Sequence, residues 1–219
     1  MRRHMFRWSP ARIIAGAFGS ISFIGSILLY LPWGHMPGQS ITYVDALYTA
    51  VSALCVTGLS IVDTAAVFNP FGQAILAVLI QVGGLGVSTM GAGVLLMLGR
   101  KVGIRQRNLI HDTMNLDSYS GVVRFLRTLF ATTVFIEVIG AFLGYFVFRR
   151  DYEMMESIGL SIFHSISSFN NAGLTILTKE RSMEMYAEDP FMLILTTALV
   201  FVGGLGFIVI RECWVNRFR

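Results

Sequence analysis

The chain has 219 residues, 54% of them apolar and only 14% charged, with a formal net charge of +4 and a mean hydropathy of +0.66. An ordinary water-soluble domain carries about a quarter charged residues; a core of this size does not hide so much apolar surface from water, whereas a bilayer accepts it. Composition therefore excludes a simple soluble domain and predicts a polytopic membrane protein, and because the basic residues lie between apolar segments, it reads as topology and not as a nucleic-acid-binding face.

The N-terminal MRRHMFRWSPAR is basic, but no clear small-residue cleavage site follows the next apolar run. Residues 1–12 therefore read as a cytoplasmic segment ahead of a retained membrane helix. Ile13–Leu31 is long enough to span at about 1.5 Å per residue against a hydrocarbon core of about 30 Å. Tyr43–Leu54 is too short to cross, and Phe71–Leu98 is more than long enough. A basic connector follows from Arg100 to about Arg124. Phe125–Phe148 can span, Ser157–Phe169 is short, and Phe191–Ile210 can span. The order is long–short–long, twice. It divides the chain into 1–12, a first unit at 13–98, a connector at 99–124, a second unit at 125–210 and a tail at 211–219.

Lysine and arginine gather in the N-terminal segment, the connector and the tail. Asp45, Asp63, Asp151, Glu153, Glu156, Glu180, Glu184, Glu188 and Asp189 lie on the opposite side, with Arg149, Arg150, Lys179 and Arg181 against the trend. The positive-inside tendency then puts both termini in the cytoplasm of a multi-pass protein of the cell membrane. The short segments must enter and leave from the outside. Irregular backbone at membrane depth is tolerated only inside protein or beside water. Each unit is thus expected to be span, re-entrant pore helix, return loop, span: an all-α fold with four spanning helices and two pore helices.

The two units repeat in sequence. Matching Gly58 with Gly173 brings Ser52 to Ser167, Leu59 to Leu174, Ile61 to Ile176, Ser60 to Thr175 and Tyr48 to Phe163, and VGGLG at Val82–Gly86 recurs at Val202–Gly206. The pore helix is expected to stop near Leu54, with the partial negative charge of its carboxyl end directed at mid-membrane. The backbone after it then runs back out. Glycine reaches angles other residues avoid, so successive carbonyls can turn to one axis and replace the water shell of a cation. Neither loop contains an acidic side chain, which favours a weakly hydrated monovalent ion over a divalent one.

CVTGLS at 55–60 and NNAGLT at 170–175, each followed by a VGGLG helix, resemble the Trk/Ktr/HKT superfamily of potassium transporters, nearest to the bacterial Ktr/Trk membrane subunit. The resemblance covers Ile13 to Ile210. It implies a potassium pathway with filter carbonyls from Val56, Thr57, Gly58 and Leu59 and from Asn171, Ala172, Gly173 and Leu174. It also implies potassium preference where glycine stands at positions 58 and 173, and sodium permeation where serine replaces the first. No cofactor is implied; the transported ion is K+, with coupling to Na+ or H+ left open. A cytosolic nucleotide-binding regulatory ring on the basic face is an implied partner, beside the lipid bilayer. The family closes its ring with four units, and two are legible here. The chain is then a fragment of a longer product, pairs with another half-transporter, or self-associates. The rival reading is a non-transporting membrane protein that modulates a full-length relative.

Other residues carry open alternatives. Glu137, in mid-span, either couples H+ or Na+ to transport or locks helices together. The Gly83–Gly86 and Gly203–Gly206 runs lack a following Lys and read as close helix packing or a bend behind the filter, not as phosphate loops. Thr89, Met90 and Gly91 are candidates for lining the cytoplasmic half of the pore. His164 reads as a hydrogen-bonded structural histidine before a metal ligand. Asn170 and Asn171 either aim dipoles at the filter or tie the loop to the helices behind it. Trp8, Trp33 and Trp214 fit interfacial anchors. Cys55 and Cys213 read as small free side chains. No nucleophile–base pair, metal cluster or paired carboxylates suggest an enzyme.

Overall fold

The structure, a computed structural model, describes residues 10–87, 89–92, 122–177, 183–206 and 209. The described residues fold into helices: α1 (Pro10–Tyr30), α2 (Tyr43–Leu54), the single turn α3 (Thr64–Val67), α4 (Pro70–Leu85), α5 (Val122–Phe148), α6 (Met154–Phe169) and α7 (Pro190–Gly204), with 3-10 turns at Pro32–Gly34 and Met183–Tyr186. The expected short helix Tyr43–Leu54 is found with the same ends. Most of the connector, together with Trp8, Cys213 and Trp214, lies outside the described residues.

The helix starts follow local chemistry. Thr42 and Asp45 form a capping box at the head of α2, which satisfies orphan donors at both positions. Asn69 caps α4 through the N–H groups of Phe71 and Gly72, with Pro70 in the first turn. Asp189 does the same for α7 through Phe191 and Met192, followed by Pro190. Asn-Pro-Phe at 69–71 and Asp-Pro-Phe at 189–191 are thus a third matched pair of motifs in the two units. Both caps also bind the segment just past the preceding long helix: Asn69 donates to Trp33 O and His35 O at 2.8 and 3.0 Å, and Asp189 pairs with Arg150 at 2.6 Å.

Three expected boundaries move. Helix α5 starts by Val122, so Arg124 belongs to a helix and not to the connector; it is exposed while Phe125 and Leu126 bury on the opposite face. Helix α6 starts at Met154 and not Ser157, with Glu156 in its first turn, where a carboxylate suits the helix dipole. The third change is the largest. Gly86 and Gly206, the last glycines of the two VGGLG runs, have φ of 83° and 80°, and α4 and α7 end just before them. The expected spans Phe71–Leu98 and Phe191–Ile210 are therefore interrupted. Their described 16 and 15 residues reach only about 24 and 22 Å. Among the described residues, α1 and α5 are long and apolar enough to cross a membrane by themselves.

The two units pack alike. In the first, α1, α2 and α4 touch one another; in the second, α5, α6 and α7 do; the units meet where α4 lies against α6. Small residues permit this closeness. Ala46, Ala50 and Ala53 of α2 and Ser157, Ser161 and Ser165 of α6 are almost fully buried. Gly25 of α1 faces Leu79, and Gly140 of α5 faces Leu199. The outward faces carry Phe23, Ile24, Phe135, Val138, Phe142, Ile194 and Phe201, each more than half exposed. Such a continuous apolar exterior belongs against lipid.

Candidate ion-permeation site

The site is built at the carboxyl ends of α2 and α6, and the two ends are bonded alike. After α2, Val56 N–H donates to Ala53 O and Thr57 N–H to Ser52 O, at 3.2 and 3.0 Å. After α6, Asn171 N–H donates to Ser168 O and Ala172 N–H to Ser167 O, at 3.1 and 2.8 Å. This is the paired bonding of a Schellman cap, which requires a left-handed residue just past the helix. Val56 and Asn171 occupy that position with φ of 56° and 59°. Asparagine tolerates it; a β-branched valine there is strained, and strain of this kind collects at functional sites.

Two residues on, Gly58 and Gly173 have φ of 72° and 71°. Each loop therefore alternates left-handed and ordinary backbone: Val56, Thr57, Gly58, Leu59 and Asn171, Ala172, Gly173, Leu174. An extended strand points successive carbonyls to opposite sides; alternating the sign of φ turns them toward one side. The loops also approach each other. A Cβ built on Gly58 would lie 2.3 Å from Ala172 O, whereas one on Gly173 meets nothing within 4 Å.

Leu59 and Leu174 stand apart from the other loop positions. Their carbonyls accept from Ser52 Oγ and Ser167 Oγ, both at 2.6 Å. In these positions the main chain is engaged in bracing the loop to its own pore helix. Ser52 also bonds the Thr57 hydroxyl at 2.9 Å, and Thr64 Oγ1 of α3 donates to Thr175 O, joining the first unit to the second loop. The bracing serines were aligned by the sequence repeat, but their role was missed.

The VGGLG helices pass against the carboxyl ends of the pore helices. A Cβ on Gly83 would stand 1.9 Å from Leu54 O, and one on Gly203 1.7 Å from Phe169 O. The run thus combines both expected uses: its first glycine allows contact with the last pore-helix carbonyl, and its final glycine breaks the helix. Of the residues expected further along, Thr89 is buried, Met90 packs against Leu85, Phe125 and Leu129, and Gly91 is exposed.

Behind the second loop, the two N–H groups of Asn170 Nδ2 are shared among Gln81 Oε1, Ile166 O and, at the longest distance, Glu137 Oε1, and Asn171 donates to Val200 O at 3.3 Å. Both asparagines tie the loop to the helices around it. Glu137 is nine-tenths buried. His164 Nε2 lies 3.0 Å from Thr196 Oγ1 and 3.4 Å from Ser168 Oγ, the hydrogen-bonded role expected of it. Cys55 and Trp33 are exposed.

Among the described residues, two helix–loop–helix units wrapped in apolar surface meet at a pair of loops, the architecture of a helical membrane protein. The TrkH family of cation transport proteins matches residues 10–217. Similar proteins include the Ktr system potassium uptake protein B of Bacillus subtilis, 35% identical over 211 residues, covering 96% of this chain and 46% of that protein. The potassium/sodium uptake protein NtpJ of Enterococcus hirae is 36% identical over 206 residues, 94% of this chain and 45% of that protein. The Ktr system potassium uptake protein B of Vibrio alginolyticus is 36% identical over 216 residues, 97% and 46%. The chain belongs to the TrkH cation transport family. It spans about half the length of the curated relatives it matches.

Proposed function

We propose that the chain supplies two of the loops of a K+-selective permeation path. The carrying observation is the repeated alternation of left-handed backbone at Val56 and Gly58 and at Asn171 and Gly173, in loops that hold no acidic side chain. A ring of main-chain oxygens replaces the hydration shell of a monovalent cation. The ion-facing oxygens are those of Val56, Thr57, Gly58, Asn171, Ala172 and Gly173; those of Leu59 and Leu174 face the cation less directly, since serine hydroxyls already hold them. The open side of Gly173 is where a further loop completes the ring, carried by another half-transporter or a second copy. Residues 99–124 and both termini face the cytoplasm, and a nucleotide-binding regulatory ring docks on that basic face.

The test uses a bacterium deficient in potassium uptake. The chain is expressed alone and as two copies joined in tandem, the latter bringing four loops together. The tandem form is expected to restore growth at low K+, and Gly58→Ser in both copies to admit Na+. Failure of both forms to take up K+ favours instead a membrane protein that only modulates a longer relative, and would sink the transport reading.

A further inference from the structure

We infer that Gln81, Asn170 and Glu137 form a positioning clamp that sets the second loop against the first unit and thereby fixes the ion discrimination of the site. The inference rests on the filter reading of the loops for its last step, and on geometry alone for the rest.

Asn170 is the residue immediately before left-handed Asn171. Its Nδ2 lies 2.9 Å from Gln81 Oε1 on α4, 3.3 Å from Glu137 Oε1 on α5 and 2.9 Å from Ile166 O on its own helix. Its Oδ1 sits against Gly84, where a built Cβ would come within 2.0 Å of it. Three helices thus fix one side chain, one of them from the other unit. Ser165 Oγ donates to the Glu137 main-chain oxygen at 2.8 Å, which pins α5 to α6 beside the same point. Asn170, Glu137 and Ser165 are all buried. A buried, satisfied polar network specifies one arrangement and penalises any displacement that breaks it.

Among the described residues, the first loop has no such clamp. At the repeat offset that pairs Gly25 with Gly140 and Gly58 with Gly173, Asn170 corresponds to Cys55 and Glu137 to Ser22. Cys55 is exposed. The two loops share a backbone but not a support, so loss of the clamp acts on one of them.

The purified chain in detergent is compared by amide hydrogen exchange as wild type, Glu137→Gln and Glu137→Leu. Gln keeps an acceptor for Asn170; Leu removes it. Exchange at Asn171 and Ala172 is expected to rise about ten-fold in Glu137→Leu, with Val56 and Thr57 unchanged and Glu137→Gln close to wild type. In the tandem form, K+ over Na+ preference falls in Glu137→Leu and is kept in Glu137→Gln. Unchanged exchange in the second loop, equal acceleration of both loops, or a Glu137→Gln variant that behaves like Leu overturns the clamp. Should Glu137→Leu not fold, Gln81→Met removes the other acceptor at similar size and reads the same amides. The exchange result does not involve the ion, so a wild type without K+ preference sinks the filter reading while the clamp is still decided.

Discussion

Gly58 and Gly173 hold the same backbone angle in different surroundings, and that difference separates their substitutions. Any side chain at either position meets the left-handed penalty of about 1–2 kcal/mol. Gly58 adds a collision with Ala172 O, while Gly173 faces open space. Gly58→Ser is therefore expected to lower the thermal unfolding temperature more than Gly173→Ser, measured by unfolding in detergent; equal losses would contradict the loop-to-loop contact. Both glycines were legible in the sequence because the repeat aligned them. Val56 was not: nothing in a valine announces a left-handed residue, since its conformation is imposed by the bonds of Thr57 N–H and its own N–H back to the helix end. The same bonds at Asn171 fall on a residue that accepts them easily. Gln81 was also missed, because a single amide inside an apolar helix has no periodic signature; its role exists only where Asn170 meets it across the two units.

The long–short–long order of helices was legible from apolar run lengths, and α2 was found with its expected ends. A bend at the VGGLG runs was one reading of their glycines, but its place at Gly86 and Gly206 and its effect on the span lengths were not legible, because hydropathy continues unchanged through VGGLG and only the φ values mark the interruption. Contact between inner helices and pore helices makes a sharp prediction. Gly83→Ala and Gly203→Ala each drive a methyl into a main-chain oxygen, and overpacking of this sort costs about 1–3 kcal/mol or more. Both variants are expected to express poorly or unfold early, whereas Gly91→Ala, with nothing within 4 Å, is expected to be neutral on the same assay.

The cap of α7 responds to pH. The Met192 N–H, with Arg150 and the Phe191 N–H, holds the Asp189 carboxyl below its ordinary value of 3.8. A depressed carboxylate stabilises the fold above its unfolded pKa and ceases to as pH falls through the folded one. Stability is thus expected to decline on acidification below about pH 4, and Asp189→Asn, which keeps the cap acceptor, to flatten that part of the profile. An unchanged acid limb would contradict the assignment.

At the scale of the whole molecule, membership of the TrkH family and the doubled architecture agree. Composition alone indicated a bilayer, and the exposed faces of α1, α5 and α7 give that indication a surface. Residues distant in sequence by more than a hundred positions, such as Thr64 and Thr175, come together only through packing of one unit on the other, which no local pattern encodes. The proximity of Gly58 to Ala172 is one consequence of that packing, and it brings the two loops to one place.

Anomalous scattering from crystals soaked in Rb+ tests this most directly. The account predicts a peak coordinated by main-chain oxygens of residues 56–58 and 171–173, displaced by K+ but not by equal Na+. A Rb+ signal confined to other parts of the protein, or one that Na+ removes equally well, would contradict it.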